Sequence, residues 1–200
     1  MDIVAHTLWA AAGVTVIHRR QPLMRHTVIA TLALAALPDV LQLLPIAGWW
    51  LFADGSFAAL RGYAVAVPGQ EPGLPPLVQL WSHNLHCVMH SAPIAALVTG
   101  AVWAVRRTFW IPLLGWWSHI VIDVFTHSAD YYAVPVLYPF TERGFDGIAW
   151  TTPWFMAFNY VALAIVSLWL VLTRRGHRDR CRPSAPPHRS SKAQPVAGTG

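Results

Sequence analysis

Apolar residues gather into five long runs, at 3–17, 27–52, 77–105, 108–127 and 153–173. A helix rises about 1.5 Å per residue, so the last four runs are long enough to cross about 30 Å of hydrocarbon. The first, at fifteen residues, reaches only about 22 Å; it enters obliquely or packs on the others as a partly buried helix. Residues 53–76 are rich in glycine and proline and predict a loop with little regular structure. Residues 128–152 mix Asp130, Glu142, Arg143 and Asp146 with Tyr131, Tyr132, Tyr138, Phe140, Phe145 and Trp150. That mixture suits an interfacial lid. Residues 176–200 lack apolar periodicity and predict a disordered basic tail behind a membrane-embedded domain over 1–175. The expected fold is therefore all-α, an integral membrane bundle of about five helices.

Composition agrees. Hydrophobic residues make up 55% and charged residues 12%, half of the roughly 25% a soluble domain carries. Eleven tryptophans add to the picture, since Trp is favoured at membrane interfaces. The net charge of +5 does not point to nucleic acid, because the basic residues flank the apolar runs or lie in the tail. If all five runs cross, Arg19, Arg20, Arg25, Arg106, Arg107 and the basic residues after position 173 share one side. Of the fourteen Lys and Arg, only Arg61 and Arg143 fall on the other. The positive-inside rule makes the first side cytoplasmic, with the N-terminus out and the C-terminus in across the plasma membrane. Asp2 precedes the first run and Arg19-Arg20 follow it, the reverse of a cleavable signal, so the segment is read as retained. Cys87 and Cys181 form no CxxC pair and suggest neither a disulfide nor a cysteine zinc site.

Costly residues interrupt the runs. WWSHIVIDVFTHS, at 116–128, carries His119, Asp123 and His127 at a spacing of four, which puts all three on one stripe of a helix. Ionisable side chains at lipid depth cost roughly 2.5–3.5 kcal/mol each on insertion scales and mark function by default. Imidazole nitrogen with carboxylate oxygen is the donor set of zinc and similar ions. Asp39 follows Pro38 inside the second run; the proline either kinks a continuous helix or starts a new one capped by the aspartate. His6 opens the first run, and WSHNLHCVMHS supplies His83, His86 and His90 on one helical face. His83 is taken first as a ligand, His90 second and His86 third, the remainder orienting ligands or touching substrate. Under the topology above, these residues gather toward the outer membrane face. The positive-inside rule made no use of them. His18, His26, His177 and His188 sit beside arginines or in the tail and read as solvated.

The motifs resemble a family. His6 near the start, LPD ending at Asp39, SHNL at His83, and HIVIDVFTHS followed by LYPF resemble the membrane-bound metal-dependent hydrolases of the YdjM type over roughly residues 1–152. The ligand order is also similar to that of zinc-dependent phospholipases C and single-strand-specific zinc nucleases. The resemblance implies a metal set of His6, Asp39, His83, His119, Asp123 and His127. Two departures stand out. No second His-x-x-x-Glu/Asp pair follows His127, and SHNLHCVMHS replaces the His-Arg-Gly-x-Thr-His-Ser common in the family's third motif.

The expectation is a membrane hydrolase holding one or two divalent ions, zinc first among them. An activated water would attack an ester or phosphoester, with Asp39 doubling as general base. A site at lipid depth suggests a lipid or lipid-linked substrate; no nucleic-acid partner is expected. The rivals are a metal-ion transporter or sensor, which would use the same ligands, and a haem protein with paired histidines, which leaves Asp39 and Asp123 unexplained.

Overall fold

The computed structural model describes residues 1–65, 71–130 and 133–180, the side chains of 174–180 excepted. Its regular elements are seven helices: α1 (Ile3–Arg20), α2 (Arg25–Phe52), α3 (Phe57–Ala64), α4 (Pro76–Met89), α5 (Ala92–Arg106), α6 (Leu113–Thr126) and α7 (Pro153–Arg180). The all-α expectation holds for the described residues. The tail beyond 180, and residues 66–70 and 131–132 of the two connections, lie outside them. Residues 176–180, expected as disordered tail, continue α7 instead.

Helix α2 is the organiser, packing against α1, α4 and α6. Thr31, Ala35, Pro38, Asp39 and Ile46 are its buried positions, a stripe at helical spacing. The helix runs unbroken through Pro38 and Pro45, so Asp39 does not cap a new helix. Pro38 has no N–H, which leaves the Leu34 carbonyl without its donor and loosens the turn beside Asp39. Gly115 of α6 lies against this stretch: a Cβ there would stand 2.0 Å from the Thr31 carbonyl oxygen. Only glycine lets α6 come so close.

Two helices are long and apolar enough to cross a membrane, α2 and the Pro153–Thr173 part of α7. A third crossing arises if α4 and α5 count as one span, bent by 61° at their junction. The sequence run 77–105 thus divides at His90–Ser91. Ser91 caps α5 by accepting from Ile94 N, and Pro93 occupies the first turn, where its missing N–H costs nothing. Helix α1, at 18 residues, and α6, at 14, are about 27 and 21 Å long. The outer faces are lipid-like: Leu97, Phe158, Val161, Ile165 and Leu168 are all more than half exposed.

Helices α1 and α7 run parallel. The Tyr160 hydroxyl donates to Asp2 Oδ1 (3.0 Å) at one end. At the other, Arg19 donates to the Leu170 carbonyl and to Thr173 Oγ1 and lies over the Trp169 ring.

The two connections depart differently from expectation. Ser56 caps a short helix, α3, by accepting from Ala59 N at 3.1 Å, so residues 57–64 are helical where a loop was expected. The segment after α6 is strapped to that helix's end. Gly147 N donates to His127 O, Ile148 N to Phe125 O and Trp150 N to Thr126 O. It also reaches the α4–α5 junction, where Ala92 N donates to Val136 O and Ser91 Oγ to Tyr138 O.

Candidate metal centre

Four side chains from three helices meet at the centre of the bundle: Asp39 of α2, His90 at the end of α4, and His119 and Asp123 of α6. One donor atom from each lies within 4.8 Å of all the others, and all four residues are buried. His90 Nε2 is 3.0 Å from His119 Nε2. Asp123 Oδ2 stands 3.2 Å from the first and 3.1 Å from the second. Asp39 Oδ1 is farther out, at 3.8 and 3.6 Å.

The far side of each ring fixes its role. His119 Nδ1 is 2.7 Å from the Ala35 carbonyl oxygen, and His90 Nδ1 is 2.8 Å from the His86 carbonyl oxygen. A carbonyl only accepts, so each Nδ1 carries a hydrogen, which leaves each Nε2 turned to the centre, where a lone pair can bind an ion. Two lone pairs facing each other at 3.0 Å beside a carboxylate repel unless positive charge lies between them. Asp123 Oδ2 and Asp39 Oδ2 are buried with no hydrogen-bond partner, an arrangement that costs several kcal/mol without compensation. Donors on a tetrahedron of about 2.0–2.1 Å radius stand about 3.3 Å apart, close to the observed spacings. The cluster can hold a metal ion. His held by a carbonyl behind and a metal ahead is the usual way such ligands are oriented.

Other predicted residues surround this group. His6 Nε2 lies 2.8 Å from Asp123 Oδ1, and its ring stacks on His119 with centroids 3.8 Å apart. His6 Nδ1 is buried without a hydrogen-bond partner. His127 caps the end of α6; its Nδ1 donates to Asp123 O at 3.1 Å and stands 3.7 Å from Asp123 Oδ1. Thr126 Oγ1 and the Met1 amino group also meet Asp123 Oδ1. Asp123 therefore serves both sides, Oδ2 toward the four-donor group and Oδ1 toward His6.

His83 is the exception. It is exposed, its Nε2 lies 3.5 Å from Cys87 Sγ, and it lines a separate hollow with Tyr63, Glu71 and Gln79. The histidine that enters the cluster from this segment is His90, which the sequence reading ranked second. In an ideal helix His83 and His90 share a face, but seven residues separate them by about 10 Å along the axis. One ion cannot draw on both. The chain did hold a pointer: His90 is followed by Ser-Ala-Pro, a helix start that places it at the end of α4. His86 sits between, its ring 4.2 Å from that of His90 and its Nδ1 2.9 Å from Gln42 Oε1.

A cavity of 290 Å³ lies against the cluster, lined by Asp39, Gln42, Tyr63, His86, His127 and Trp150 among others. Asp39 is the one member of the four-donor group at its wall. Tyr63 comes from α3 and Trp150 from the strapped segment, so both connections contribute to this wall. Comparison with protein-family models, with curated proteins and with solved structures gives no match to this chain.

Proposed function

We propose that the chain is a membrane-bound metal-dependent hydrolase of the YdjM type acting on an ester or phosphoester of an amphiphilic substrate. One observation carries the reading. His90, His119 and Asp123 form a tight triangle with edges of 3.0–3.2 Å, and the fourth donor, Asp39, stands farther off at the cavity wall. Three close ligands with the remaining corner turned toward a cavity is the layout of a catalytic site, whereas structural sites close all four. A divalent ion held there, zinc best matching two nitrogens with carboxylate, supplies Lewis acidity and brings the pKa of water toward about 7.

The chain's own residues do the rest. His90 and His119 present Nε2 and are fixed from behind by the His86 and Ala35 carbonyls. Asp39, between cluster and cavity, takes the proton of the attacking water and passes it to the departing alcohol oxygen, so that no net proton is consumed at the carboxylate. Trp150 and Tyr63 line the same cavity as Asp39 and would face the substrate there.

The proposed setting is the plasma membrane, crossed five times, with the site toward the extracytoplasmic side. The parallel course of α1 and α7 supports this, since two crossings with their N-termini on the same side run that way. So does the position of Arg19 at the end of α1 opposite His6.

A panel of carboxylic and phosphoric esters, presented to the purified protein in mixed micelles with added zinc, tests the function. Turnover of at least one class is expected, and Asp39→Asn should slow it by roughly 10²–10⁴-fold, the usual worth of a general base. No turnover across the panel, combined with zinc uptake into sealed proteoliposomes, would replace hydrolysis by transport.

A further inference from the structure

The seam between α1 and α6 changes character along its length. At one end His6 and His119 stack across it. Farther along the same helix faces come Ala10, Gly13 and Ile17 on α1, and Gly115 and Ser118 on α6. Gly115 turns its open side toward Thr31 of α2, whereas Ala10, Gly13 and Ser118 are small enough to leave space between the helices. Two hollows, of 460 and 370 Å³, occupy it and share Trp9, Ser118 and Val121 as walls. The first is also lined by Met1 and Thr126, both of which touch Asp123, and Met1 lines the cavity beside Asp39 as well. The groove thus starts at the wall of the metal cluster. It follows α1 to Ile17, about 24 Å at 1.5 Å per residue, more than one leaflet of a roughly 30 Å core.

The chemistry of the groove selects its occupant. Each polar side chain along it is already bonded within the protein. Trp9 Nε1 donates to Asn159 Oδ1 (2.9 Å), Ser118 Oγ to Gly115 O (2.8 Å), Thr31 Oγ1 to Thr27 O (2.8 Å) and Trp117 Nε1 to Thr99 Oγ1 (3.0 Å). Beyond Asn159 and the Met1 amino group at its cluster end the groove is apolar, and the exposed side chains Val121 and Phe125 line it. A polar ligand would lose its hydration there for nothing. A second helix, about 10 Å across, would cover the slot without following it to Asp123.

We propose that this seam binds one hydrocarbon chain of a membrane lipid, entering sideways from the bilayer, with the lipid's polar end carried to the cavity at Asp39. The substrate class named by this groove, a long-chain lipid ester or phosphoester, rests on the hydrolase reading above; the chain-binding site itself does not.

The test uses the full chain in phosphatidylcholine vesicles containing a fraction of phosphatidylcholine with a diazirine on its acyl chain. After irradiation, labelled residues are mapped by mass spectrometry. Labelling per residue over Ala10–Ile17 and Gly115–Val121 is expected to exceed that over the equally lipid-exposed Val161, Ile165 and Leu168 of α7 several-fold. Gly13→Phe should reduce it to the α7 level while leaving the melting temperature unchanged, because a Cβ at Gly13 meets nothing within 4 Å. Equal labelling of seam and α7, unaffected by Gly13→Phe, would overturn the proposal. A cross-link joining two copies through α1 would overturn it too, assigning the seam to a second chain. Neither metal nor turnover enters the readout, so a labelled seam in a protein that hydrolyses nothing would retain the groove and discard the hydrolase.

Discussion

Asp123→Asn is expected to abolish high-affinity metal binding and yet leave the protein folded. The carboxylate is the hub of the site: Oδ2 faces His90 and His119 at 3.2 and 3.1 Å, and Oδ1 faces His6 at 2.8 Å. Loss of even a group that merely orients a ligand weakens metal sites about 10–100-fold, so removing this charge should weaken binding by at least about 100-fold. That corresponds to about 2.7 kcal/mol. The fold should survive because the asparagine amide keeps the side chain's shape and can donate to an imidazole Nε2. Competition with a chromophoric zinc chelator gives the affinity, and thermal melting in detergent gives the stability. Unchanged affinity would remove Asp123 from the centre. Asp123→Ala is the harsher control, since it leaves the same imidazoles with neither ion nor amide.

Chelation should lower the melting temperature of the unmodified protein, and by more than it lowers that of Asp123→Asn. An ion that binds only the folded chain stabilises it by about 2.7 kcal/mol at a free concentration 100 times its dissociation constant. For a chain of 200 residues that is worth about 5–10 °C, at roughly 2–4 °C per kcal/mol. The sign follows from the geometry. Removing the ion exposes two Nε2 atoms 3.0 Å apart to a carboxylate oxygen that no buried donor satisfies. Scanning melts with and without a strong chelator, followed by zinc add-back, check both the size and the reversibility.

Much of the site was legible in the chain, for physical reasons that can be named. His119 and Asp123 stand out because helical spacing of four and burial cost act together on one apolar run, and they meet as that spacing requires. His127 belongs to the same repeat but caps α6 in extended conformation, returning to Asp123 through its ring nitrogen. Asp39 stood out as a carboxylate after Pro38 within an apolar run and joins the four-donor group, while His6 came from its place relative to the membrane ends and meets the group through Asp123. His83 failed where a rule about faces was asked to stand in for depth. A helical wheel reports direction and says nothing of the axial distance between His83 and His90. The division at Ser91 was written as Ser-Ala-Pro, a helix start buried within an otherwise continuous apolar run, and hydropathy alone reads through it. The short helix α3 was hidden by the glycines and prolines around it. The carbonyls that fix the histidines, Ala35 and His86, leave no trace in side-chain patterns, because any residue supplies a carbonyl.

Elemental analysis of purified protein, comparing the unmodified chain with His90→Ala and His83→Ala, tests the central claim most directly. The geometry predicts close to one equivalent or more of divalent metal in the unmodified chain and in His83→Ala, and a near-complete loss in His90→Ala while all three remain folded. Equal metal content in the three, or retention by His90→Ala with loss from His83→Ala, would contradict a centre built on Asp39, His90, His119 and Asp123.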